Sequence, residues 1–323
     1  MVIAEIGNNH EGDFGRAKEL IHEAAAAGVQ GVKFQTIIPE RLVSASQSAR
    51  VAQLRRYAFD REQFSLLADE ARRAGVMFLS TPFAVEVVQW LDELVPAFKI
   101  ASGDNNYQSL LEAVAATGKP IILSGGMASL EDINKSCAII ENAAPARSRA
   151  EIVVLHCVSA YPTPPEQANL LAITSLARAT GKTVGYSDHT LGIEAAVLSV
   201  ALGARLIEKH FTLSKTQSDF RDHALSADPA ELTELVRRVK LAQALLGSGN
   251  KIMQDAEKAT AAAARRSIVA RSALPAGHIL TFSDLDWLRP GGGLPPGEEN
   301  RLLGRRLSRS ITPGEMITQD MVV

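Results

Sequence analysis

Apolar strand-like segments and amphipathic helical segments alternate strictly over the first 250 residues of the chain. This alternation constrains the fold more than any other feature, because strands joined through right-handed helical crossovers form a parallel sheet. The eight strand-like segments are short and apolar, as buried parallel strands are, and they cover residues 2–7, 31–36, 76–81, 97–102, 120–125, 152–159, 183–188 and 205–211. The eight helical segments, several of which end on glycine, cover residues 14–28, 62–75, 84–95, 110–118, 129–143, 170–181, 192–204 and 229–247.

Eight strand–helix units of this length predict a closed (β/α)8 barrel, that is, a TIM barrel, which typically takes about 250 residues. An open, doubly wound sheet is the alternative, but no G-x-G-x-x-G motif follows the first strand. We therefore predict an α/β protein in which residues 1–250 form the barrel and carry the catalytic site.

The chain changes character after the predicted barrel. Residues 251–264 are polar and then alanine-rich, which predicts a linker helix. From residue 265 to residue 323, β-like runs at 266–272 and 301–311 lie among turns rich in glycine and proline. We predict a small β-rich domain here, and because a core of this size is marginal alone, we expect it to dock on a barrel.

Composition argues against several classes of partner. The net charge is −2, so the chain carries no overall basic field for nucleic acid or a membrane surface. No apolar run of about 18 residues predicts a transmembrane helix, and the first residues read as a strand rather than a signal peptide. Cys137 and Cys157 lie in a helical and a strand segment, so we interpret them as reduced core thiols of a cytoplasmic protein.

Polar side chains collect at the carboxyl ends of the strands, where α/β barrels hold their chemistry. His189 and His210 end the seventh and eighth strands, and imidazole is a common ligand of divalent metals. We therefore predict that these two histidines share one metal ion. The other polar residues near strand ends are Glu5, Lys33, Gln35, Ser80, Thr81, Lys99, Ser102, Asp104, Ser124, His156, Ser159, Tyr161, Ser187, Asp188, Glu208 and Lys209.

Two lysines, Lys33 and Lys99, stand inside otherwise apolar strands. A buried ammonium group needs an anionic partner or it loses its proton. With hydroxyls and glycines nearby, the pair favours a pocket for a phosphate or a carboxylate. The alternative is a structural role, in which each lysine pairs with a strand carboxylate such as Glu5.

The motifs AEIGNNHEG, KFQT, KIASGD, ILSGGM, YPTPPEQANL, GYSDHT and IEKHFTL follow one another from residue 4 to residue 213. In order and spacing they resemble the sialic acid synthases, which include the N-acetylneuraminate, legionaminate and pseudaminate synthases. The segment that contains WLRPGGG resembles the C-terminal antifreeze-like (SAF) domain of that family. The resemblance covers essentially the whole chain.

This resemblance implies an aldol-like condensation of phosphoenolpyruvate with an N-acylated mannose-type aldehyde, which releases phosphate and a nine-carbon 2-keto acid. It implies a divalent metal, Mn2+ or Mg2+, held by His189 and His210. Asp104 would act as the catalytic base, and Glu5 would hold hydroxyls of the sugar. The residues that would surround phosphoenolpyruvate are Lys33, Thr81, Lys99, Ser102, Ser124, Ser159, Tyr161 and Ser187.

The resemblance also implies a domain-swapped homodimer, in which Arg289 from the C-terminal domain of the partner subunit reaches the N-acyl group. From their positions alone, Asp222 and His223, in the loop after strand eight, are candidates for substrate contact. His10 and Glu11, in the first loop, would either touch substrate or cap the first helix.

The chain departs from the family pattern mostly on the sugar side. Asp104 stands where the family usually has glutamate, and Ser159 stands where some members have asparagine. The loop after strand two lacks the asparagine-bearing insert of neuraminate synthases, and FRDHALS replaces a Pro-Asp-His motif. The acceptor could therefore be N-acetylmannosamine or a 2,4-diacetamido-6-deoxy relative.

Two other functions remain open from the sequence. One is a carbohydrate- or ice-binding protein that uses the terminal domain and retains a vestigial barrel. The intact set of lysines and histidines argues against this reading. The other is a phosphoenolpyruvate-dependent synthase that acts on a sugar phosphate, which would need additional basic residues for the second phosphate.

Overall fold

The computed structural model describes residues 1–145 and 151–323. These residues form two compact units, Met1–Gly247 and Ser248–Val323. Among the described residues, no helix is both long enough and apolar enough to cross a membrane.

The first unit is a closed barrel of eight parallel strands, β1 to β8, in sequential order, as the sequence predicts. Parallel pairing continues around the ring and closes where β1 pairs with β8, with Glu5 opposite His210. The strands are β1 (Val2–Gly7), β2 (Gly31–Thr36), β3 (Met77–Pro82), β4 (Phe98–Ile100), β5 (Ile121–Ser124), β6 (Ile152–Cys157), β7 (Thr183–Asp188) and β8 (Leu206–His210).

Helices surround this barrel or lie in the loops that follow its strands. They are α1 (Phe14–Ala26), α2 (Pro39–Leu42), α3 (Ser48–Tyr57), α4 (Arg61–Arg73), α5 (Val88–Leu91), α6 (Gln108–Ala115), α7 (Leu130–Ala143), α8 (Ala172–Thr180), α9 (Glu194–Ala201), α10 (Asp222–Leu225) and α11 (Pro229–Leu246). Three of them begin with a capping box, in which the residues before the helix, Asp60, Ser129 and Asp228, satisfy free amides of the first turn. Apolar residues on their inner faces pack on the outward-facing residues of the strands and form the main core.

Side chains that point into the barrel follow the two-residue period of the strands. Toward the amino ends, five strands contribute an apolar plug made of Ile3, Leu79, Ile122, Leu155 and Leu206. Two residues further along the same strands, the side chains line a polar cavity, and they are Glu5, Thr81, Ser124, Cys157 and Glu208. Successive inward-facing residues of these strands therefore form first the packed interior and then the cavity.

Two sequence predictions for the barrel need correction. Residues 84–95 do not form one long helix, because only a short 3-10 turn at Val85–Val87 and the single-turn α5 are present. The β-branched valines in this run lower its helix propensity. The loop after β2 was not expected to be helical, yet it contains α2 and α3.

The second unit contains α12 (Lys258–Ala264), in the segment predicted to be a linker helix, and a two-stranded antiparallel sheet of β9 (Ser267–Ala270) and β10 (Leu285–Leu288). Its own core includes Ile268, Leu280, Leu285, Leu302 and Ile317. The predicted run at 266–272 therefore contains a strand. The run at 301–311 does not form one, and it contributes only isolated bridges at Arg306, Leu307 and Ile311.

Candidate active site

A cavity of about 370 Å3 opens at the carboxyl ends of the barrel strands. It brings together twelve of the fourteen residues that the sequence predicts for the site. They are Glu5, Lys33, Thr81, Lys99, Ser102, Ser124, Ser159, Tyr161, Ser187, His189, His210 and Asp222. Their individual roles stay predictions, but their assembly in one cavity follows from the strand period.

The floor of the cavity holds a buried network of two lysines and two glutamates. Lys33 Nζ lies 2.6 Å from Glu5 Oε2 and 3.7 Å from Glu208 Oε2. Lys99 Nζ lies 3.9 Å from Glu208 Oε1, so Glu208 stands between the two ammonium groups. All four residues are at most 5% exposed. Such a network is costly to desolvate, and it persists only where partners are well placed.

Burial and pairing shift the pKa values of these groups in different directions. Burial raises the pKa of Glu5, and it lowers the pKa of Lys99. Burial also acts to raise the pKa of Glu208, but Lys33 and Lys99 outweigh it and hold that pKa below its ordinary value. Burial acts to lower the pKa of Lys33, but its attraction to Glu208 and Glu5 outweighs burial and raises that pKa. The floor therefore favours a charged Lys33 and a charged Glu208.

Hydroxyl groups surround the two lysines. Lys33 Nζ donates to Thr81 Oγ1 at 3.0 Å, and Lys99 Nζ donates to Ser124 Oγ at 2.7 Å. Ser187 Oγ donates to Glu208 Oε1 at 3.0 Å. Ser159 Oγ is buried and has no hydrogen-bond partner among the described residues. An unpaired buried hydroxyl is costly, and it is the kind of group that a bound ligand satisfies.

His189 and His210 lie side by side, with ring centroids 5.3 Å apart. His189 Nδ1 lies 2.9 Å from the carbonyl oxygen of Val158, and a carbonyl only accepts, so Nδ1 carries a proton and the neutral ring has its lone pair on Nε2. His210 Nδ1 is buried without a partner among the described residues. Burial holds the pKa of His210 well below its ordinary value, which favours the neutral form that binds metals.

These two imidazoles have the donor chemistry of a site for a divalent metal ion. In the described part of the chain, no group of three or more His, Cys, Asp or Glu residues could hold a metal ion. The orphaned Nδ1 of His210 and the free Nε2 of His189 are the donors that such an ion would use.

One wall of the cavity is formed by Tyr161 and the loop after β8. The Tyr161 ring lies 4.2 Å from that of His189, and the guanidinium of Arg221 stacks over it at 4.6 Å. Asp222 is buried, and its Oδ1 lies 3.1 Å from Arg221 Nε. This wall offers a carboxylate and a guanidinium to polar groups of a substrate.

Two predicted residues do not line the cavity. Asp104 ends a 3-10 turn, Ser102–Asp104, and its Oδ2 is buried without a partner among the described residues. Burial, opposed by Lys99, raises the pKa of Asp104 to about 6. Arg289 belongs to the second unit, where it follows β10 and is exposed. The roles of both residues remain predictions.

Several cavity residues were not part of the predicted site. Glu208 is the most central, and the strand period identifies it, because it lies two residues before His210 on the inward face of β8. Gln35 could have been found in the same way, and its Nε2 donates to Glu5 Oε1 at 2.9 Å. Arg50 and Leu54 lie on α3, a helix that we did not predict from the sequence.

Comparison with known proteins gives one consistent result. A model of the NeuB family matches residues 20–251, and a model of the SAF domain matches residues 265–323. An uncharacterized protein of Methanocaldococcus jannaschii is 42% identical over 99% of this chain and 93% of its own. The N,N'-diacetyllegionaminic acid synthase of Legionella pneumophila is 36% identical over 97% of this chain and 92% of its own.

A solved structure agrees with these relatives. The N-acetylneuraminic acid (sialic acid) synthetase of Leptospira borgpetersenii, determined in complex with citrate, superposes with a TM-score of 0.75 at 37% identity. The match covers 80% of this chain and 89% of that chain.

Proposed function

The chain belongs to the NeuB family and ends in a SAF domain, and from this premise we propose that it joins phosphoenolpyruvate to an N-acylated mannose-type aldose. The products are phosphate and a nine-carbon, sialic-type 2-keto acid. The observation that carries the proposal is the cavity floor, where two buried lysines and a ring of hydroxyls meet beside two imidazoles. We also propose that the protein works in the cytoplasm, which suits its two buried free cysteines.

Phosphoenolpyruvate suits the floor because it carries both a phosphate and a carboxylate. Lys33 and Lys99 supply charge, and Ser102, Ser124 and Ser159 supply hydroxyl donors. The pairing of Lys33 with Glu5 also fits the structural alternative. A barrel without a catalytic role would gain no stability from burying these four ionisable groups, however, because apolar replacements of buried ion pairs are often neutral or stabilising.

The reaction forms two bonds to carbon and breaks one. C3 of phosphoenolpyruvate attacks the aldehyde carbon, the aldehyde oxygen gains a proton, and the oxygen of a water molecule adds to C2. The bond between C2 and the phosphate oxygen then breaks, the hydroxyl on C2 loses its proton and becomes the keto group, and phosphate leaves. We propose that Asp104 accepts the proton of that water, and that Glu5 and Asp222 hold sugar hydroxyls. The lysines act chiefly by holding the anion in line with the aldehyde.

His189 and His210 would hold Mn2+ or Mg2+, and such an ion supplies Lewis-acid polarisation of the aldehyde oxygen when bound. Metal-free protein titrated with Mn2+ tests this assignment by thermal unfolding as well as by activity. We expect Mn2+ to raise the Tm of the wild type and of His22→Ala, whose side chain is exposed. His189→Ala and His210→Ala should fold but lose both the shift and most activity. Full activity in excess chelator would contradict the metal site.

The acceptor is tested by phosphate release from phosphoenolpyruvate in the presence of N-acetylmannosamine, a 2,4-diacetamido-6-deoxy sugar or arabinose 5-phosphate. We expect release with an N-acyl amino sugar. A sugar-phosphate acceptor is the second candidate because Arg50 lines the cavity and, in the described residues, has no carboxylate within ion-pair distance. Release with arabinose 5-phosphate alone would favour that candidate, and release with none of the three would count against both.

We further propose a homodimer in which Arg289 of the partner subunit completes the site at the N-acyl group. The test mixes Arg289→Ala protein with His189→Ala protein under conditions that allow subunit exchange. If the arginine acts in trans, one site of each mixed dimer has both residues intact, and activity partly returns. If each arginine serves its own barrel, no mixed dimer has a complete site and activity stays absent.

A further inference from the structure

The loops after β1 and β8 are tied together beside the cavity by a contact between Glu11 and His223. His223 Nε2 lies 3.1 Å from Glu11 Oε1. A carboxylate oxygen only accepts, so Nε2 carries the proton. Because 212 positions separate these residues in the chain, the bond joins the first and last loops of the barrel.

His223 is held at both ring nitrogens. Its Nδ1 lies 2.7 Å from Thr212 Oγ1, just after β8, and the residue is 0% exposed. A second tie runs parallel to it, in which Asn9 Nδ2 donates to the carbonyl oxygen of Phe211 at 2.7 Å and to Ser226 Oγ at 3.0 Å. Glu11 also has a φ of 49°, a left-handed conformation that costs free energy in residues other than glycine.

These ties act on α10, which carries the cavity wall. The helix is only four residues long, from Asp222 to Leu225, and no side chain caps its amino end. A single turn is not stable by its own hydrogen bonds, so its position depends on tertiary contacts. Ser226 Oγ, which accepts from Asn9, donates in turn to the carbonyl oxygen of Asp222 at 2.6 Å.

We propose that Glu11 and His223 are positioning residues, which fix α10 so that Asp222 and Arg221 face the acceptor sugar. This inference rests on the proposed function of the cavity. Neither residue needs to touch substrate, because His223 is wholly buried and Glu11 is engaged with it. Lys33 and Lys99 stand on other strands, so the effect falls on the acceptor and not on phosphoenolpyruvate.

Hydrogen exchange of the free protein tests the tie without any activity. In Glu11→Ala, amides of residues 214–227 should exchange about tenfold faster or more, because a charge-assisted hydrogen bond that holds the loop is lost. Glu23→Ala, an exposed glutamate on α1, is the matched control and should leave these amides unchanged. Unchanged exchange in Glu11→Ala would overturn the inference, whether or not the proposed reaction is found.

Steady-state kinetics distinguishes positioning from a general loss of structure. In Glu11→Ala, the acceptor KM should rise by about tenfold, while the phosphoenolpyruvate KM changes less than about twofold. Glu11→Gln keeps an oxygen that accepts from His223, so it should restore the acceptor KM to near the wild-type value. Equal changes in both KM values, or a glutamine variant as impaired as the alanine variant, would overturn the inference.

A double-mutant cycle tests whether Glu11 and His223 act together, and it uses His223→Gln because the buried His223→Ala variant could fold poorly. If the two residues act as one unit, Glu11→Ala combined with His223→Gln should impair acceptor use no more than the worse single variant. Additive effects on acceptor KM would show that they act independently and would overturn the inference. A wild type that releases no phosphate with any acceptor would count against the proposed function instead, and the exchange measurement would still decide the tie.

Discussion

The cavity floor places two lysines and two glutamates in buried positions, and Glu208 is the residue that links them. It lies between Lys33 and Lys99, and it accepts from Ser187. Sequence reasoning found the lysines because a charge inside an apolar strand is conspicuous. It named Glu208 among the polar residues near strand ends but gave it no role in the site, although its spacing of two residues from His210 puts both on the inward face of β8.

Lys99→Met should weaken the use of phosphoenolpyruvate far more than the use of sugar. Losing one charge-assisted contact typically costs about 1.5–3 kcal/mol, which corresponds to about tenfold to over a hundredfold in kcat/KM. Lys209→Met is the matched control, because Lys209 is equally buried but pairs with Asp188 instead of lining the cavity. It should lower the Tm without this selectivity. An effect of Lys99→Met confined to the sugar would contradict the assignment.

Activity should fall as the pH drops through about 6. The pKa of Asp104 is raised to about 6 by burial, so this carboxyl is protonated below that value and cannot accept a proton. A kcat/KM profile measured from pH 5 to pH 8 checks the expectation. Asp104→Asn should lower the rate by about 10²- to 10⁴-fold and abolish this acidic limb. An unchanged limb in Asp104→Asn would assign it to another group.

At the scale of elements, the strand period explains what the sequence could and could not predict. Strands β1, β2 and β7 have the predicted bounds, because apolar runs flanked by glycines and polar turns mark them clearly. Their inward residues were therefore placed correctly. The broken helix around Val88 and the two helices after β2 were not, since short helices depend on tertiary packing more than on propensity.

Gly126→Ala should impair phosphoenolpyruvate use through the loop after β5. A Cβ at this position would lie 2.4 Å from Ser159 Oγ and 2.6 Å from Ser102 Oγ, so both hydroxyls would have to move. Gly103→Ala is the matched control, because its Cβ would meet no atom within 4 Å. We expect a phosphoenolpyruvate KM raised about tenfold only in Gly126→Ala, as for the loss of one or two hydrogen bonds. Equal KM values in the two variants would contradict this role of the serines.

At the scale of the whole molecule, the sequence predicted the barrel and the small terminal domain, but it left the acceptor undetermined. The barrel follows from local periodicity that any buried parallel strand must show. The side of the cavity that we propose for the acceptor is built by loops, including α3 with Arg50 and the segment that carries Arg221 and Asp222. Loop conformations are set by long-range ties such as Glu11 to His223, which no local pattern reveals.

We expect this cavity to make a carbon–carbon bond between phosphoenolpyruvate and an amino sugar. Phosphoenolpyruvate labelled with 13C at C3 tests it most directly when it is incubated with the enzyme, Mn2+ and the acceptor that releases phosphate. We expect the label in a methylene group bonded to the former aldehyde carbon, with one phosphate released per product and a rate about tenfold to over a hundredfold lower in Lys99→Met. Label that is recovered as pyruvate, or phosphate release that does not require the sugar, would show that the cavity does not make this bond.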